Sequence, residues 1–263
     1  MKKTLLFIVV AFSVTQLWSQ NASLSSGKSK SDEDRNFRIP LIGENAPSFT
    51  AESTNGTVKF PDDFGRNWKI LFSHPQDFTP VCSTEILELA RLQDKFDKLG
   101  VKLVVVSTDL LDTHVQWKKS LESLDLDNRG LVKIKFPLVD DNDKSIAKKY
   151  GMIHAATNST ESVRGVFIID PNDIIEAIYF YPKSVGRNTD ELIRTVTALQ
   201  TTFSDKVMTP VNWKAGNDLL VPTPPKTDAH SNTSVPEGYY SPIWYLWFKK
   251  TNQKNEGMFQ SEN

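Results

Sequence analysis

Residues 68–107 read as strand, helix, strand, and that order constrains the fold more than any other stretch of the 263-residue chain. Trp68-Lys-Ile-Leu-Phe-Ser73 is a short apolar run stopped by His74-Pro75, which predicts a buried strand ending at a turn. From Cys82 to Leu99, apolar residues at Ile86, Leu89, Ala90, Phe96 and Leu99 keep helical spacing, and Gly100 supplies the C-terminal stop. Val101-Lys-Leu-Val-Val-Val-Ser107 is a β-branched run of the kind that fills a central parallel strand.

The alternation continues downstream. A helix is expected over Leu111–Leu124, a short strand over Phe136–Val139, and a helix from about Asn142 to Tyr150 that Gly151 terminates. Val163–Asp170 and Ile174–Tyr181 read as a hairpin around the turn Pro171-Asn172-Asp173. Asn188 and Glu191 form an approximate capping box that opens a last helix to about Phe203. Strand and helix in alternation, then a hairpin and a helix, predict an α/β thioredoxin-like fold over residues 37–205, a central mixed β-sheet flanked by helices.

The flanks differ in texture. Lys2 and Lys3 followed by the apolar run Leu5–Val14, with small residues at Ser19 and Ala22, predict a secretory signal peptide over residues 1–22, hence an exported protein, periplasmic or secreted. The run is too short to span a bilayer comfortably. Residues 23–36 are polar and read as a flexible linker. Beyond Lys206, four prolines between Val207 and Pro225 predict an extended arm rather than a second core. Six of the ten residues from Tyr239 to Phe248 are aromatic, a cluster expected to pack on its own domain or on a partner subunit before a polar tail.

Charge narrows the function classes. Thirty-one basic residues against thirty-two acidic ones leave a net charge of −1, with no basic footprint for nucleic acid. Only Lys249 and Lys250 accompany the aromatic cluster, too little for a single-strand stacking groove. His74, His114, His154 and His230 lie far apart in sequence and never in metal-ligand spacing, so a metal is not expected. One cysteine excludes both an intramolecular disulfide and a multi-cysteine metal site.

That cysteine is where the chemistry concentrates. In His74-Pro-Gln-Asp-Phe-Thr-Pro-Val-Cys82-Ser-Thr-Glu85, Cys82 stands where a proline-punctuated loop meets the first turn of a helix. Free backbone N–H groups and the positive end of the helix dipole point there and favour a thiolate over a thiol. Thr79, three residues earlier, has a hydroxyl able to donate to the sulfur or to a bound oxygen. The bland alternative is a small buried hydrophobe at a helix start, in a thioredoxin-fold module that binds or chaperones without catalysing.

Pro75-x-x-x-Thr79-x-x-Cys82 resembles the PxxxTxxC signature of peroxiredoxins, and its surroundings resemble the one-cysteine, peroxiredoxin 6-like subfamily. The resemblance continues through Arg164-Gly-Val-Phe-Ile-Ile-Asp-Pro171, Tyr181-Pro-x-x-x-Gly-Arg187-Asn188 and Thr209-Pro-Val-Asn-Trp-Lys214, covering about Ile39 to Pro225. It implies a thiol peroxidase acting on hydrogen peroxide and organic hydroperoxides in antioxidant defence. Cys82 would be the peroxidatic cysteine, oxidised to a sulfenic acid, and Thr79 would hydrogen-bond the thiolate and the peroxide. Arg164 would stabilise the thiolate and the charge on the leaving oxygen, and Pro75 would shield the sulfur. Glu85 and Arg187 match positions that orient Arg164, and His74 matches a histidine of the subfamily near the site. No cofactor is implied. The partners implied are an external thiol or thioredoxin-like reductant and a second copy in a homodimer. Some subfamily members also hydrolyse phospholipids through Gly-x-Ser-x-Gly; here the matching stretch is Gly65-Arg-Asn67-Trp-Lys69, without the serine, which argues against that activity.

Overall fold

The computed structural model describes residues 38–158, 160–204, 206–222 and 236–251. The expected signal peptide and linker, the polar tail and the arm's last residues, 223–225, lie outside the described residues.

The strand–helix–strand unit forms as its sequence pattern predicts. A hairpin of β1 (Phe49–Ala51) and β2 (Val58–Phe60) leads into β3 (Trp68–Ser73), α1 (Pro80–Lys98) and β4 (Val101–Ser107). Then come α2 (Leu111–Glu122), β5 (Leu138–Asp140), α3 (Ser145–Lys149), β6 (Arg164–Ile169), β7 (Ile175–Tyr181) and α4 (Thr189–Ser204). The central sheet has the order β5-β4-β3-β6-β7, with β3, β4 and β5 parallel and β6 and β7 antiparallel to their neighbours. β3 and β6 are buried along their whole length, as strands covered on both faces must be.

Alternation divides the core between the two faces of the sheet. Ile70 and Phe72 point toward Ile86, Leu89 and Phe96 of α1 and Val196 of α4. Leu71 points the other way, toward Phe167, Tyr150 and the stacked pair Phe49–Phe60 of the first hairpin. Lys69 shares that second face, yet it is buried; its Nζ reaches the Asp173 carboxylate at the β6–β7 turn. A lysine inside an apolar run is tolerated because the long stem carries the charge to that partner.

Several boundaries move from the sequence expectation. α1 starts at Pro80, two residues before Cys82, because proline at the first helical position lacks only an N–H that would have no helical partner anyway. α3 shrinks to Ser145–Lys149, since the preceding residues are drawn into a turn in which the Asp141 carboxylate accepts the Ile146 and Ala147 N–H groups, each at 2.8 Å. Only half of the capping box forms: Asn188 Oδ1 accepts the Glu191 N–H at 3.1 Å, while the Glu191 carboxylate turns to Arg194 and Thr195.

The C-terminal extension, expected over residues 206–263, contains regular structure that the sequence reading did not assign. β8 (Leu219–Val221), β9 (Tyr239–Ile243) and β10 (Leu246–Lys249) form a three-stranded antiparallel sheet in the order β8-β10-β9. Tyr240 and Phe248 stack across it, 4.8 Å between ring centroids. The aromatic cluster is thus partly self-packed, but Trp244 and Tyr245 at the hairpin tip remain 67% and 57% exposed. Among the described residues no helix is long and apolar enough to cross a membrane.

Candidate active site

Cys82 is the third residue of α1 and 0% exposed, packed in the core cluster with Phe72 and Ile86. The first bond of the helix runs from Ser83 N–H to Thr79 O at 3.0 Å, so the N–H groups of Val81 and Cys82 precede the ladder at the positive end of the dipole. Arg164 opens β6. Because β6 runs antiparallel to β3, its first residue lies beside the end of β3, where α1 begins.

The guanidinium of Arg164 donates from Nη1 to Cys82 Sγ at 3.3 Å and to Glu85 Oε2 at 2.7 Å. Its Nε and Nη2 both donate to Lys183 O, at 3.0 and 2.7 Å, which fixes the plane of the group. Glu85, one turn beyond Cys82, also takes Arg187: Nε and the backbone N–H reach Oε1 at 2.8 Å, and Nη2 reaches Oε2 at 2.7 Å. Arg187 Nη1 donates to Ser73 O and Gly165 O, and the guanidinium lies 3.3 Å over the Phe72 ring.

All three charged groups are buried. Burial alone would raise the Glu85 carboxyl; the hydrogen bonds and charge of Arg187, with Arg164 behind it, outweigh it and hold the group below the usual carboxylate range. Burial pushes the Arg187 guanidinium below its ordinary value, against the pull of Glu85. Two cations and one anion leave a single positive charge facing the sulfur, which an anionic sulfur would balance.

Thr79 differs from expectation. Its hydroxyl, with one proton to give, donates to Gln76 O at 2.8 Å rather than to the sulfur. Pro75 is buried, between His74 and the exposed Gln76. Asn67, at the position of the missing serine, donates its amide to Phe64 O at 2.7 Å and so ties its own turn.

His74 does not bond the sulfur; it belongs to a second buried cluster. Its Nε2 meets Asp77 Oδ1 at 2.7 Å, and its ring centroid lies 5.1 Å from that of Trp117. The other oxygen, Asp77 Oδ2, meets His114 Nδ1 at 2.6 Å, and His114 Nε2 donates to Val139 O at 3.2 Å. A carbonyl and a carboxylate are both acceptors, so His114 donates from both nitrogens and carries the positive charge. Burial opposes that charge, but Asp77 and Asp109 raise His114 above the ordinary imidazole value. Burial dominates at His74 and pushes it down. Burial would also raise Asp77, yet the two histidines hold it below the usual range. The sequence reading keeps the histidines apart, whereas the fold brings His74 and His114 to 6.5 Å between ring centroids. His74, Asp77 and Asp109 gather ligand atoms within 4.8 Å of one another, but both Asp77 oxygens accept from imidazole and Asp109 Oδ2 from Ser107 and the Asp77 N–H.

Comparison with known proteins adds an independent line. The AhpC/TSA family pattern matches residues 42–178, and that of the C-terminal domain of 1-Cys peroxiredoxin matches residues 198–233. A peroxiredoxin of Methanosarcina mazei is 43% identical over 220 residues, which is 82% of this chain and 100% of the relative. One from Aquifex aeolicus is 40% identical over 222 residues, 81% of this chain and 97% of the relative. Among solved structures, the yeast mitochondrial 1-Cys peroxiredoxin superposes with a TM-score of 0.70 at 35% identity, covering 81% of this chain and 100% of that one. A cysteine-to-serine mutant of peroxiredoxin 6 from Arenicola marina gives the same TM-score, 0.70, at 33% identity, covering 81% and 99%.

Proposed function

The chain belongs to the AhpC/TSA family as a one-cysteine peroxiredoxin, a thiol-dependent peroxidase, and from that premise we propose how its own residues carry the reaction. The Cys82 thiolate attacks the terminal oxygen of the peroxide. The S–O bond forms as the O–O bond breaks, the sulfur is oxidised to a sulfenic acid, and the alkoxide or hydroxide leaves and takes a proton from water. Arg164, 3.3 Å from Sγ, stabilises the thiolate and then the charge moving onto the leaving oxygen. Glu85 and Arg187 hold that guanidinium in place. Thr79 turns its hydroxyl from Gln76 O to the bound peroxide, and buried Pro75 keeps bulk water from the sulfur.

The observation that carries this reading is the bond from Arg164 to the buried sulfur at a helix start. Peroxide consumption with an added thiol, in wild type and Cys82→Ser, tests it: turnover that survives Cys82→Ser removes the sulfur from the mechanism.

This sequence holds one cysteine, so an external thiol closes the cycle. One thiol displaces water from the sulfenic acid to give a mixed disulfide, and a second releases Cys82. The yeast relative is described as resolved through glutathione and thioredoxin systems. For this chain the N-terminal signal pattern supports export, and with it a thioredoxin-like reductant outside the cytosol. Assembly is a homodimer in which the C-terminal extension reaches the partner, supported by the exposed aromatics of the β9–β10 hairpin. Mass spectrometry of Cys82 after one equivalent of peroxide, with candidate thiols added afterwards, identifies the reductant; complete conversion to a Cys82–Cys82 dimer would overturn the external-thiol route.

A further inference from the structure

The segment joining β3 to α1 carries a conformation that needs holding. Phe78 has φ 53°, in the left-handed region that a bulky side chain avoids because its Cβ crowds the backbone. The residue is 55% exposed, so core burial does not fix it there. Directly after it comes Thr79, the residue that caps α1, with Cys82 three positions on.

What does fix the segment is Asp77, directly before Phe78. Its N–H donates to Asp109 Oδ2 at 2.9 Å, from the turn after β4. Its carboxylate accepts from His74 at the end of β3 at 2.7 Å and from His114 of α2 at 2.6 Å. His114 in turn is fixed by Val139 O of β5. Three elements of the scaffold therefore converge on one buried residue, a fourth holds it through His114, and Trp117 of α2 packs near both His74 and Phe78, at 5.1 and 6.4 Å between centroids. None of these polar groups hydrogen-bonds the sulfur, so the Arg164 network does not account for them.

We propose that Asp77, clamped by His114, is a positioning residue of peroxide reduction: it keeps Phe78 in the left-handed turn that sets Thr79 and Pro75 against Cys82. The proposal rests on Cys82 reacting with peroxide. It differs from a purely structural role in what it predicts for two reactions of one sulfur. Reduction of peroxide needs the turn, whereas alkylation of Cys82 by iodoacetamide needs only an accessible thiolate.

The test uses the full chain in its reduced form, followed by stopped-flow mixing with hydrogen peroxide and, separately, with iodoacetamide. His114→Ala should slow the peroxide reaction on the order of tenfold to a hundredfold, the cost of sub-ångström misplacement, while alkylation holds or quickens. Adding Phe78→Gly in the His114→Ala background should recover most of the lost rate, since glycine takes a positive φ without a clamp. Should circular dichroism find His114→Ala unfolded, Asp77→Asn, which keeps the shape and one acceptor, is read in the same two assays with the same expected rescue. An unchanged peroxide rate, a parallel fall in both reactions, or no recovery with Phe78→Gly would each overturn the clamp. A wild-type chain that consumes no peroxide would instead overturn the peroxidase reading beneath it.

Discussion

Two buried polar clusters flank the loop that leads into Cys82, and they solve the same problem with different side chains. On one side Glu85 is shared by Arg164 and Arg187; on the other Asp77 is shared by His74 and His114. Both carboxylates are held below their ordinary range by the side chains that donate to them, after burial has pushed the other way. The cations differ. Guanidinium stays charged at any accessible pH, while imidazole charges and discharges near neutrality. The cations of the cluster that touches sulfur therefore keep their charge through neutral pH, and those of the cluster that shapes the loop do not. Asp141 supplies the control, a buried carboxylate with backbone N–H groups in place of a cation. Burial, with Asp143 nearby, raises it to about 6.

The largest test of this contrast removes the shared anion. Glu85→Ala leaves two guanidinia buried without a counter-charge, and should cost about 3–5 kcal/mol of stability, read from the urea midpoint. A loss under ~1 kcal/mol, the scale of an exposed pair, would mean the arginines find other partners. Next in size, Arg164→Ala should slow peroxide reduction about a hundredfold, roughly 2.7 kcal/mol in the barrier. An unchanged rate would take this arginine out of the chemistry.

A smaller effect separates the clusters by pH. His114, raised above 6.5, contributes stability that is complete below that value and lost as pH rises through its raised value. His74, lowered from 6.5, contributes stability that is complete above that value and lost as pH falls through its lowered value. Stability should therefore peak near the ordinary imidazole value and fall on both sides. His114→Gln should flatten the alkaline side alone. Glu85 and Asp77 contribute only on the acid side, above their ordinary values of 4.5 and 3.8 and lost as pH falls through their lowered ones. An alkaline decline that persists in His114→Gln would place its origin elsewhere.

The smallest effect belongs to Asp141. Its raised value means that the contribution is complete below pH 3.8 and lost as pH rises through about 6. Asp141→Asn cannot ionise, so the slope between these values should flatten in thermal melts. Stability at neutral pH should rise by about 1 kcal/mol or less, since one capping bond of similar worth is lost.

The central layers were legible because each strand and helix announces itself within a dozen residues. Ile70 and Phe72 alternate with Leu71, and Ile86, Leu89 and Phe96 keep one helical face. Arg164, Glu85 and Arg187 were placed by resemblance; as isolated charges they would read as surface residues. The Asp77–His114 pair was missed because its partners stand 37 residues apart, and their meeting depends on how α2 lies against β5. Lys69 was hidden for the same reason, its partner Asp173 being 104 residues away. The β8–β10 sheet was missed because proline-rich texture masked the short β8 signal, the aromatic run was read as a packing cluster rather than as strands, and pairing across a long connection leaves no local trace.

Arg187 bonds Ser73 O and Gly165 O just past the last paired residues of β3 and β6, so a side chain makes the final rung between those strands. That has a consequence in time. Arg187 lies 102 residues beyond Glu85, and Arg164 lies 82 beyond Cys82. During synthesis the cysteine leaves the ribosome long before the arginines that charge its surroundings, and a chain folds its domain as a unit once the late strands arrive. Until then Cys82 has no guanidinium beside it. Completion of the fold is what brings Arg164 to the sulfur, so a half-made or unfolded chain carries the cysteine without that partner.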